Sequence, residues 1–585
     1  MKSRRRILCV FPRYARSFGT LHHSYRLKGR VRAFMPPQGL LVIAATIPPD
    51  WLVRFVDENI SPATDEDFTW ADAVFVTGMH VQRETINDVN ARAHRFGKTT
   101  VLGGPSVSAC PEWYPQFDVL HCGELGDATA ALYTRLDETV ERPAEQLRLT
   151  TGSRTPLSEF PLPAYHMVHI KDYFLASVQF SSGCPYRCEF CDIPELYGRN
   201  PRLKTPEQLC RELDAIMAAG PPGSIYFVDD NFIANPKAAL DLLPHLVAWQ
   251  RRTGYRIRLA CEATLNLAQD RRILELMREA QFHTVFVGIE TPDEEALRGM
   301  VKDQNLRMPI LEAVKILNSY GIEIVSGIIM GLDQDTERTP DDILAFIEAA
   351  KIPMLTINLL YALPKTPLWR RLEKAGRILS DGTGGDESNV AFLLPREKVR
   401  AGWLKCVASA NAPEALYRRF QHQIEHTFPH RFDPGKWRRV EKQDVKQGLG
   451  MLARILWRVG VLSDYRRIFW RMAWPALKAG KIEPVIHVGL VAHHLILFAR
   501  DCEAGVGEYS FYSQAGPKRR PFSAAKPELF LAGAPASRSG AKVRGTLVGG
   551  CKELVEVPRG FHRENPLDES FPVQEVAEPR LPDEL

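Results

Sequence analysis

Three closely spaced cysteines are the strongest chemical feature of the sequence. Cys184, Cys188 and Cys191 lie within eight residues, in the segment Gly183-Cys-Pro-Tyr-Arg-Cys-Glu-Phe-Cys191. Three thiolates on one short loop can ligate three irons of a [4Fe–4S] cluster and leave the fourth iron open. Structural zinc is the competing interpretation, but it normally requires four protein ligands. No fourth Cys or His lies nearby at zinc-finger spacing, so the pattern predicts an iron–sulfur cluster.

Acidic residues follow the predicted strands downstream of this loop. Asp229 and Asp230 end one strand, Glu262 ends the next, and Glu290 follows a third. In a (β/α) barrel the carboxyl ends of the strands form the active site. A carboxylate at such an end can instead cap the following helix, and for Glu262 both interpretations stay open. For Asp229, Asp230 and Glu290 a ligand role is favoured, because all three are expected at the same mouth of the barrel.

Glycine-rich turns follow the predicted strands of the first 150 residues. They contain Gly78, the run Gly103-Gly104-Pro105-Ser106 and the pair Gly123-Glu124. Glycine permits tight turns between strands and helices, which alone explains a single turn. Three such turns at one edge of a parallel sheet favour a shared ligand crevice, because ligands bind outside the carboxyl ends of the strands.

The pattern of apolar runs predicts the elements that carry these residues. Strands at 7–11, 53–56, 73–77 and 100–102, with a helix at 82–96, indicate a Rossmann-like domain over residues 1–150. Residues 142–163 have the composition of a linker. A second alternation indicates a partial or complete (β/α) barrel over 165–375, with strands at 178–181, 224–228, 256–261, 284–288, 324–330 and 355–360. A helical domain over 390–504 and a disordered tail over 505–585 complete the expected α/β architecture.

Composition favours a cytoplasmic protein. The chain has 585 residues, 45% hydrophobic and 25% charged, and a net charge of +5, which by itself predicts no nucleic-acid binding. The eleven cysteines are odd in number and are not spaced in pairs as disulfide partners would be. Such a set is typical of a protein in a reducing compartment. The apolar run 485–499 falls short of the roughly 20 residues of a spanning helix. The apolar run 7–11 is too short for a signal peptide core and predicts a buried strand.

Tryptophan and basic residues alternate between positions 436 and 478. Trp437, Trp457, Trp470 and Trp474 stand among eleven arginines and lysines in this segment. Basic, Trp-rich helices suit the surface of an anionic membrane. An ordinary helical domain with an aromatic core and solvated arginines would give the same pattern, and both interpretations stay open. No nucleic-acid-binding motif is present.

The cysteine triplet, with aromatic Phe190 before its third cysteine, resembles the signature of the radical S-adenosylmethionine (SAM) superfamily. The segments Gly288-Ile-Glu-Thr-Pro292 and Gly327-Ile-Ile-Met-Gly-Leu332 are similar to that family's strand ends. The resemblance implies that SAM chelates the open iron. It also implies SAM contacts at seven residues, which are Phe190, Asp229, Asp230, Glu262, Gly288, Glu290 and Leu332.

An N-terminal Rossmann-like unit before such a barrel resembles the cobalamin-binding branch of the superfamily, as does the Pro36-Pro-Gln-Gly-Leu40 element. A D-x-H-x-x-G sequence, which supplies a cobalt ligand in many cobalamin proteins, is absent. The implied cobalamin contacts are Pro37, Gly39, Gly78, Gly103, Gly104, Pro105, Ser106, Gly123 and Glu124.

Within that branch, residues 1–500 resemble the bacterial hopanoid methylases, through segments such as Cys191-Asp-Ile-Pro-Glu-Leu-Tyr-Gly-Arg199 and Lys302-Asp-Gln-Asn305. The resemblance implies methyl transfer from methylcobalamin to an sp³ carbon of a hopanoid, carbon 2 of the A-ring being expected. It also implies a flavodoxin- or ferredoxin-type reductant and peripheral contact with the inner face of the cytoplasmic membrane. Two alternatives remain: another radical SAM reaction on a different lipid or small molecule, and a non-catalytic cofactor-binding sensor.

Overall fold

The computed structural model describes residues 4–379 and 388–505. The predicted disordered tail lies outside the described residues except for Gly505.

Six parallel strands form the N-terminal sheet, in the order β2-β1-β3-β4-β5-β6. The strand order reverses between β1 and β3, which places a crevice outside their carboxyl ends. The strands are β1 (Arg6–Phe11), β2 (Leu52–Asp57), β3 (Ala73–Thr77), β4 (Thr99–Gly103), β5 (Val119–Cys122) and β6 (Leu147–Thr150). The helices are α1 (Tyr25–Lys28), α2 (Gln38–Thr46), α3 (Asp65–Trp70), α4 (Arg83–Arg95), α5 (Pro105–Ala109) and α6 (Asp127–Glu138). The Rossmann-like prediction is confirmed.

Strand β6 corrects the interpretation of residues 142–163 as a linker. Leu147 to Thr150 pair in parallel with Val119 to Cys122. The strand is short, polar at alternate positions and at the edge of the sheet, so only one side chain in two needs to be apolar. Its sequence signal is therefore lost among the surrounding prolines and serines.

A second set of six parallel strands forms a partial barrel, in the order β14-β13-β12-β11-β10-β7, with β7 and β14 at its edges. A separate antiparallel pair, β8 with β9, lies beside it. The strands are β7 (Ala176–Val178), β8 (Ser181–Ser182), β9 (Arg202–Leu203), β10 (Ser224–Phe227), β11 (Arg258–Ala263), β12 (Phe282–Glu290), β13 (Glu323–Met330) and β14 (Met354–Leu359). The helices are α7 (Ile193–Leu196), α8 (Pro206–Ala219), α9 (Pro236–Thr253), α10 (Arg271–Glu279), α11 (Glu294–Gly299), α12 (Ile310–Ser319), α13 (Thr339–Ala350) and α14 (Pro367–Lys374).

Local capping explains where the barrel helices begin. Thr205 accepts a hydrogen bond from the Gln208 amide at 3.1 Å, and Pro206 occupies the first helical turn of α8. The sequence Thr205-Pro-Glu-Gln208, with threonine at the cap, proline in the first turn and glutamine three residues on, has the pattern of such a capping box. At α11 the cap is Asp293, which accepts from the Ala296 amide at 2.8 Å. The sequence Thr291-Pro-Asp-Glu294 has the same pattern as Thr205-Pro-Glu-Gln208 and predicts a cap at Thr291, which is two residues too early.

Helices alone form the C-terminal part, as predicted: α15 (Arg396–Ala410), α16 (Pro413–His426), α17 (Lys442–Trp457), α18 (Arg466–Lys478) and α19 (Ile482–Glu503), with a π-helical turn at Arg458–Leu462. Helix α19 is long and apolar enough to cross a membrane, but 61% of its most apolar window is buried inside the protein. Val485, Val488, Ala492 and Leu495 pack in the core of the helical part. The fold thus uses α19 as a core helix.

The N-terminal part, the barrel and the C-terminal helices contribute residues to one hydrophobic core. Around the barrel strands, this core includes Ala33 and Leu41 from the N-terminal part and Trp403 and Ala499 from the C-terminal part. Residues from widely separated parts of the chain are therefore held against the barrel by burial of apolar surface.

Candidate active site

The three cysteines lie on the loop between β8 and α7. All three are free thiols and half-buried. Gly183 precedes them with φ +97°, and a Cβ there would lie 2.8 Å from the Gly198 carbonyl oxygen. Only glycine fits this turn without strain. The Cys184 amide donates to that same carbonyl at 3.2 Å, which closes the loop on itself.

The donor set fits a [4Fe–4S] cluster better than a single ion. In the described ranges, these cysteines belong to no set of three or more ligand atoms that all lie within 4.8 Å of one another. A single bound ion would require such a set. Burial raises the pKa of Cys184 and Cys191, so a bound cation must stabilise their thiolates. Gln304 donates to Cys188 Sγ at 3.3 Å, a contact of the kind that tunes cluster potentials.

Asp229 and Asp230 hold the backbone that leads into the loop. Asp229 Oδ1 accepts from the amides of Phe180 at 2.7 Å and Ser181 at 2.9 Å. Asp230 Oδ2 accepts from the Gly183 amide at 2.7 Å. Burial raises the pKa of Asp229 to about 7 and that of Asp230 to about 6. Positioning of the loop is the role that these contacts give both acids, and direct SAM contact stays a prediction.

Glu290 forms a buried ion pair at the end of β12. Lys302 Nζ lies 2.5 Å from Glu290 Oε1, and the two side chains are 6% and 10% exposed, respectively. Burial alone would lower the pKa of Lys302, but the Glu290 carboxylate together with the Cys188 and Cys191 thiolates outweighs burial, and the pKa is raised. The same ammonium lies 5.3 Å from the centre of the Phe190 ring. Glu290 and Phe190, predicted separately from the sequence, are thus brought together through Lys302.

The segment from Lys302 to Asn305 was not predicted to have a role in the site. Asn305 Nδ2 donates to the carbonyls of Gly288 at 2.9 Å and Ile289 at 3.2 Å, while Gln304 contacts Cys188. All three polar side chains, those of Lys302, Gln304 and Asn305, are buried. The segment therefore joins the cysteine loop to the end of β12. By composition the segment is a run of polar residues, which surface loops share, and the resemblance to the hopanoid methylases includes it without assigning it a role.

Glu262 ends β11 in contact with Tyr226, whose hydroxyl donates to Glu262 Oε1 at 3.2 Å. Burial raises the pKa of Glu262 to about 7. The 3-10 helix that follows β11, Leu265–Gln269, begins after Thr264 without a side-chain cap, and α10 is capped by Asp270, which accepts from the Ile273 amide at 3.0 Å. The capping alternative for Glu262 is therefore excluded, and a ligand role stays a prediction.

A cavity of about 270 Å³ lies between the cysteine loop and the ends of β13 and β14. Phe190 lines it on the loop side and Leu332 on the barrel side. At its rim, Arg371 pairs with Glu189 at 2.5 Å and with Asp333 at 2.6 Å. The volume approaches the lower end of ligand pockets, roughly 300 Å³. The cavity thus unites two of the residues predicted to contact SAM.

The predicted glycine turns all lie at the carboxyl edge of the N-terminal sheet, after β3, β4 and β5. Gly104 has φ +96°, and a Cβ there would lie 2.3 Å from Thr77 Oγ1, so the turns after β3 and β4 are in close contact. Ser106 Oγ hydrogen-bonds His80 Nδ1 at 3.0 Å and the Tyr114 hydroxyl at 2.5 Å. Pro105 begins α5. These contacts fix the edge, at which Gly103, Gly104 and Gly123 are half-buried and Gly78 is buried.

Pro37 and Gly39 flank the beginning of α2, the helix between β1 and β2. Nothing lies within 4 Å of a Cβ built on the exposed Gly39. Between them, Gln38 Oε1 accepts from the Tyr165 hydroxyl at 3.0 Å. This element therefore contacts the segment that leads into the barrel and leaves an open position beside it.

Glu124 joins the edge of the N-terminal sheet to the cysteine loop. Its carboxylate pairs with Arg202 at 2.5 Å and Arg154 at 3.2 Å, and it accepts from Ser182 Oγ at 3.3 Å. Ser182 directly precedes Gly183. The carboxyl ends of the two sheets thus face each other. Glu124 is already occupied by these partners, so its contacts assign it to the junction and leave cobalamin contact as a prediction.

Comparison with known proteins agrees with this geometry. A family model of the radical SAM superfamily matches residues 178–347, and one of a domain of unknown function, DUF4070, matches residues 366–507. The cobalamin-dependent S-adenosylmethionine radical enzyme OxsB shares the fold, with a TM-score of 0.54 and 14% identity, over 86% of this chain and 80% of that enzyme.

Two relatives are similar over nearly their whole length. An uncharacterized methyltransferase of Synechocystis sp. is 33% identical, over 86% of this chain and 94% of the relative. The hopanoid C-2 methylase of Rhodopseudomonas palustris is 58% identical, over 87% of this chain and 96% of the relative. The chain therefore belongs to the radical SAM methylase family that includes the hopanoid C-2 methylase of Rhodopseudomonas palustris.

Proposed function

We propose that this protein is a cobalamin-dependent radical SAM methylase that adds a methyl group to carbon 2 of a hopanoid A-ring. The identity of 58% with a hopanoid C-2 methylase, over 96% of that relative, is the observation that carries the proposal. The bound [4Fe–4S] cluster, SAM and methylcobalamin supply hydrogen abstraction from an unactivated carbon and a transferable methyl group, chemistry that no side chain provides.

The protein's own residues hold and orient these groups. Cys184, Cys188 and Cys191 would hold the cluster, and Asp230 fixes the turn before them through the Gly183 amide. Glu290, held by Lys302, is the proposed partner of the ribose or methionine end of SAM. Phe190 and Leu332 would flank the adenine in the 270 Å³ cavity.

The glycine turns of the N-terminal sheet are the proposed cobalamin site. Backbone at Gly103, Gly104 and Gly123 can approach a large planar ligand closely, because it carries no side chains. Glu124 would set the distance between this edge and the cysteine loop. A flavodoxin- or ferredoxin-type protein is the proposed electron donor, as a low-potential cluster requires.

Lipid analysis tests the proposal. The chain is expressed in a hopanoid-producing bacterium that lacks a C-2 methylase, and hopanoids are measured by mass spectrometry. We expect an A-ring methylated hopanoid with the wild type and with Cys210→Ala, which alters a half-buried cysteine of α8. The product should be absent with Cys188→Ala. An unchanged hopanoid profile, with protein that carries its cluster, would contradict the proposed substrate.

We further propose that the protein works at the cytoplasmic face of an anionic membrane, through a tryptophan–arginine groove at the start of α18. This groove is an open concavity of about 670 Å³ lined by Gly460, Val461, Arg466, Arg467, Trp470, Arg471 and Trp474. Val461 and Trp474 are 49% and 55% exposed. Exposed apolar side chains among arginines suit the interface of an anionic bilayer.

Vesicle flotation tests this membrane contact. The wild type should float with vesicles that contain anionic phospholipid and remain unbound with neutral ones. Trp474→Ala combined with Val461→Ala should reduce binding severalfold. Leu393→Ala, which removes an equally exposed apolar side chain outside the groove, should bind like the wild type. Equal binding by the groove variant would contradict the proposal.

A further inference from the structure

A cluster of histidines lies where the segment after β1 packs against α19. The ligand atoms of His22, His23 and Asp501 all lie within 4.8 Å of one another. His494 adds a third imidazole, with ring centres 5.2 Å from His22 and 5.6 Å from His23. This cluster shares no residue with the candidate active site.

Hydrogen bonds define which nitrogen of His22 is free. Thr20 Oγ1 donates to the Ser17 carbonyl at 2.8 Å, so toward His22 Nδ1, at 3.3 Å, it can only accept. Nδ1 of His22 therefore carries the hydrogen, and Nε2 presents a lone pair. Metal-binding histidines are held in this way, with their second nitrogen donating to an oxygen of the protein.

His494 shows the same arrangement with the opposite tautomer. Its Nε2 donates to the Phe18 carbonyl at 2.9 Å, which leaves the lone pair on Nδ1. The side chain is 0% exposed, and Nδ1 has no hydrogen-bond partner. A buried acceptor without a partner costs about 1–3 kcal/mol, so His494 is an unsatisfied imidazole next to the cluster.

Charge also suits a cation here. His23 Nε2 lies 2.8 Å from Asp501 Oδ2, which brings one carboxylate to the cluster. Neutral imidazoles with a carboxylate are the donors that zinc and similar divalent ions prefer.

We propose that His22, His23 and Asp501, with His494 beside them, form a binding site for a divalent late transition metal ion, zinc being the ion that the donor set suits best. The ion joins the segment after β1 to α19. Around it, Ser24 Oγ donates to the Leu490 carbonyl at 2.6 Å, and Phe18 packs edge-on against Phe498. The site is therefore structural and fastens the N-terminal part to the C-terminal core helix.

Metal analysis of the full-length, tag-free chain tests the proposal. Cys184, Cys188 and Cys191 are first replaced by alanine, so that the cysteine loop binds no metal. The protein is stripped with a chelator, incubated with zinc, and desalted. We expect about one zinc per chain, as one such site would bind. His422→Ala with His426→Ala, which removes a surface pair with ring centres 4.5 Å apart on α16, should leave this zinc content unchanged.

His22→Ala with His23→Ala should lose the zinc. Because these substitutions can also disturb packing, Asp501→Asn serves as a conservative second variant, with circular dichroism to establish folding. Zinc should raise the melting temperature of the parent protein by a few degrees and leave that of Asp501→Asn unchanged. The proposal is overturned if the parent binds no zinc, or if folded Asp501→Asn binds zinc and is stabilised as the parent is.

Discussion

At the scale of residues, the site depends on charges that are buried beside the cysteine loop. Glu290 combines a positive φ of 66° with an ion pair to Lys302. Non-glycine residues adopt this conformation rarely, and it persists only where the surroundings impose it. The ion pair and the Asn305 hydrogen bonds to Gly288 and Ile289 supply that constraint.

Replacing Lys302 by methionine should strongly destabilise the protein, because the Glu290 carboxylate would remain buried without a partner. Breaking a buried pair in this way costs about 3–5 kcal/mol. The midpoint of urea unfolding measures the effect. Arg298→Met removes an exposed pair with Glu294, at 2.7 Å, and should cost less than about 1 kcal/mol. Equal effects of the two substitutions would contradict the importance of the buried pair.

Glu262 predicts a pH dependence of stability. Burial raises its pKa from 4.5 to about 7, so the folded state binds the proton more tightly than the unfolded state does. Its contribution to stability is therefore fully present below pH 4.5 and is lost as the pH rises through about 7. Glu262→Gln should become more stable relative to the wild type across this window. Urea midpoints measured at several pH values test this, and a pH-independent difference would contradict it.

At the scale of elements, short backbone contacts determine the position of the cysteine loop. Asp230→Ala removes the acceptor of the Gly183 amide and should lower the iron content severalfold from the roughly four irons of a full cluster, although all three cysteines remain. Iron analysis after anaerobic reconstitution measures this. Asp214→Ala, which alters a surface acid paired with Arg252, is the control. Full iron loading of Asp230→Ala would contradict the anchoring role.

Most elements could be predicted from the sequence, because a buried parallel strand such as β1 is a nearly continuous apolar run, and strands such as β13 are followed by a glycine. Strand β6 could not be predicted, because an edge strand has only a weak pattern of apolar residues. The role of Asp229 could not be predicted from the sequence either. A carboxylate at a strand end accepts equally well from a ligand or from the Phe180 and Ser181 amides, and only the path of the loop decides between them.

Long-range partners were equally inaccessible to sequence analysis. Lys302 meets Glu290 only because α11 and the turn after it bring the chain back to the end of β12. Arg154 and Arg202 meet Glu124 only because the two sheets face each other. Such pairs depend on tertiary packing, for which no local pattern exists.

At the scale of the whole molecule, Glu124 connects the edge proposed for cobalamin to the loop proposed for the cluster. Glu124→Ala should leave the iron content unchanged but lower methylated product more than 5′-deoxyadenosine, because the cluster with SAM and the cobalamin are proposed to bind at different edges, which Glu124 joins. The ratio of the two products measures this uncoupling.

A second pair between the same two parts of the molecule serves as the control for Glu124. Glu112 lies 3.8 Å from Lys365, and both side chains are more than half exposed. Glu112→Ala should therefore change neither product, since exposed pairs contribute little. An unchanged product ratio in Glu124→Ala would contradict the view that this residue aligns the two edges.

We claim that this one chain transfers a methyl group from SAM to a hopanoid, and isotope transfer by the purified protein is the experiment that tests this. The reconstituted protein is incubated with cobalamin, a strong reductant, hopanoid and SAM that carries a trideuterated methyl group. We predict a hopanoid with the labelled methyl group on carbon 2, and no such product from Cys188→Ala. Formation of 5′-deoxyadenosine without any labelled hopanoid, or with the label on another carbon, would contradict the claim.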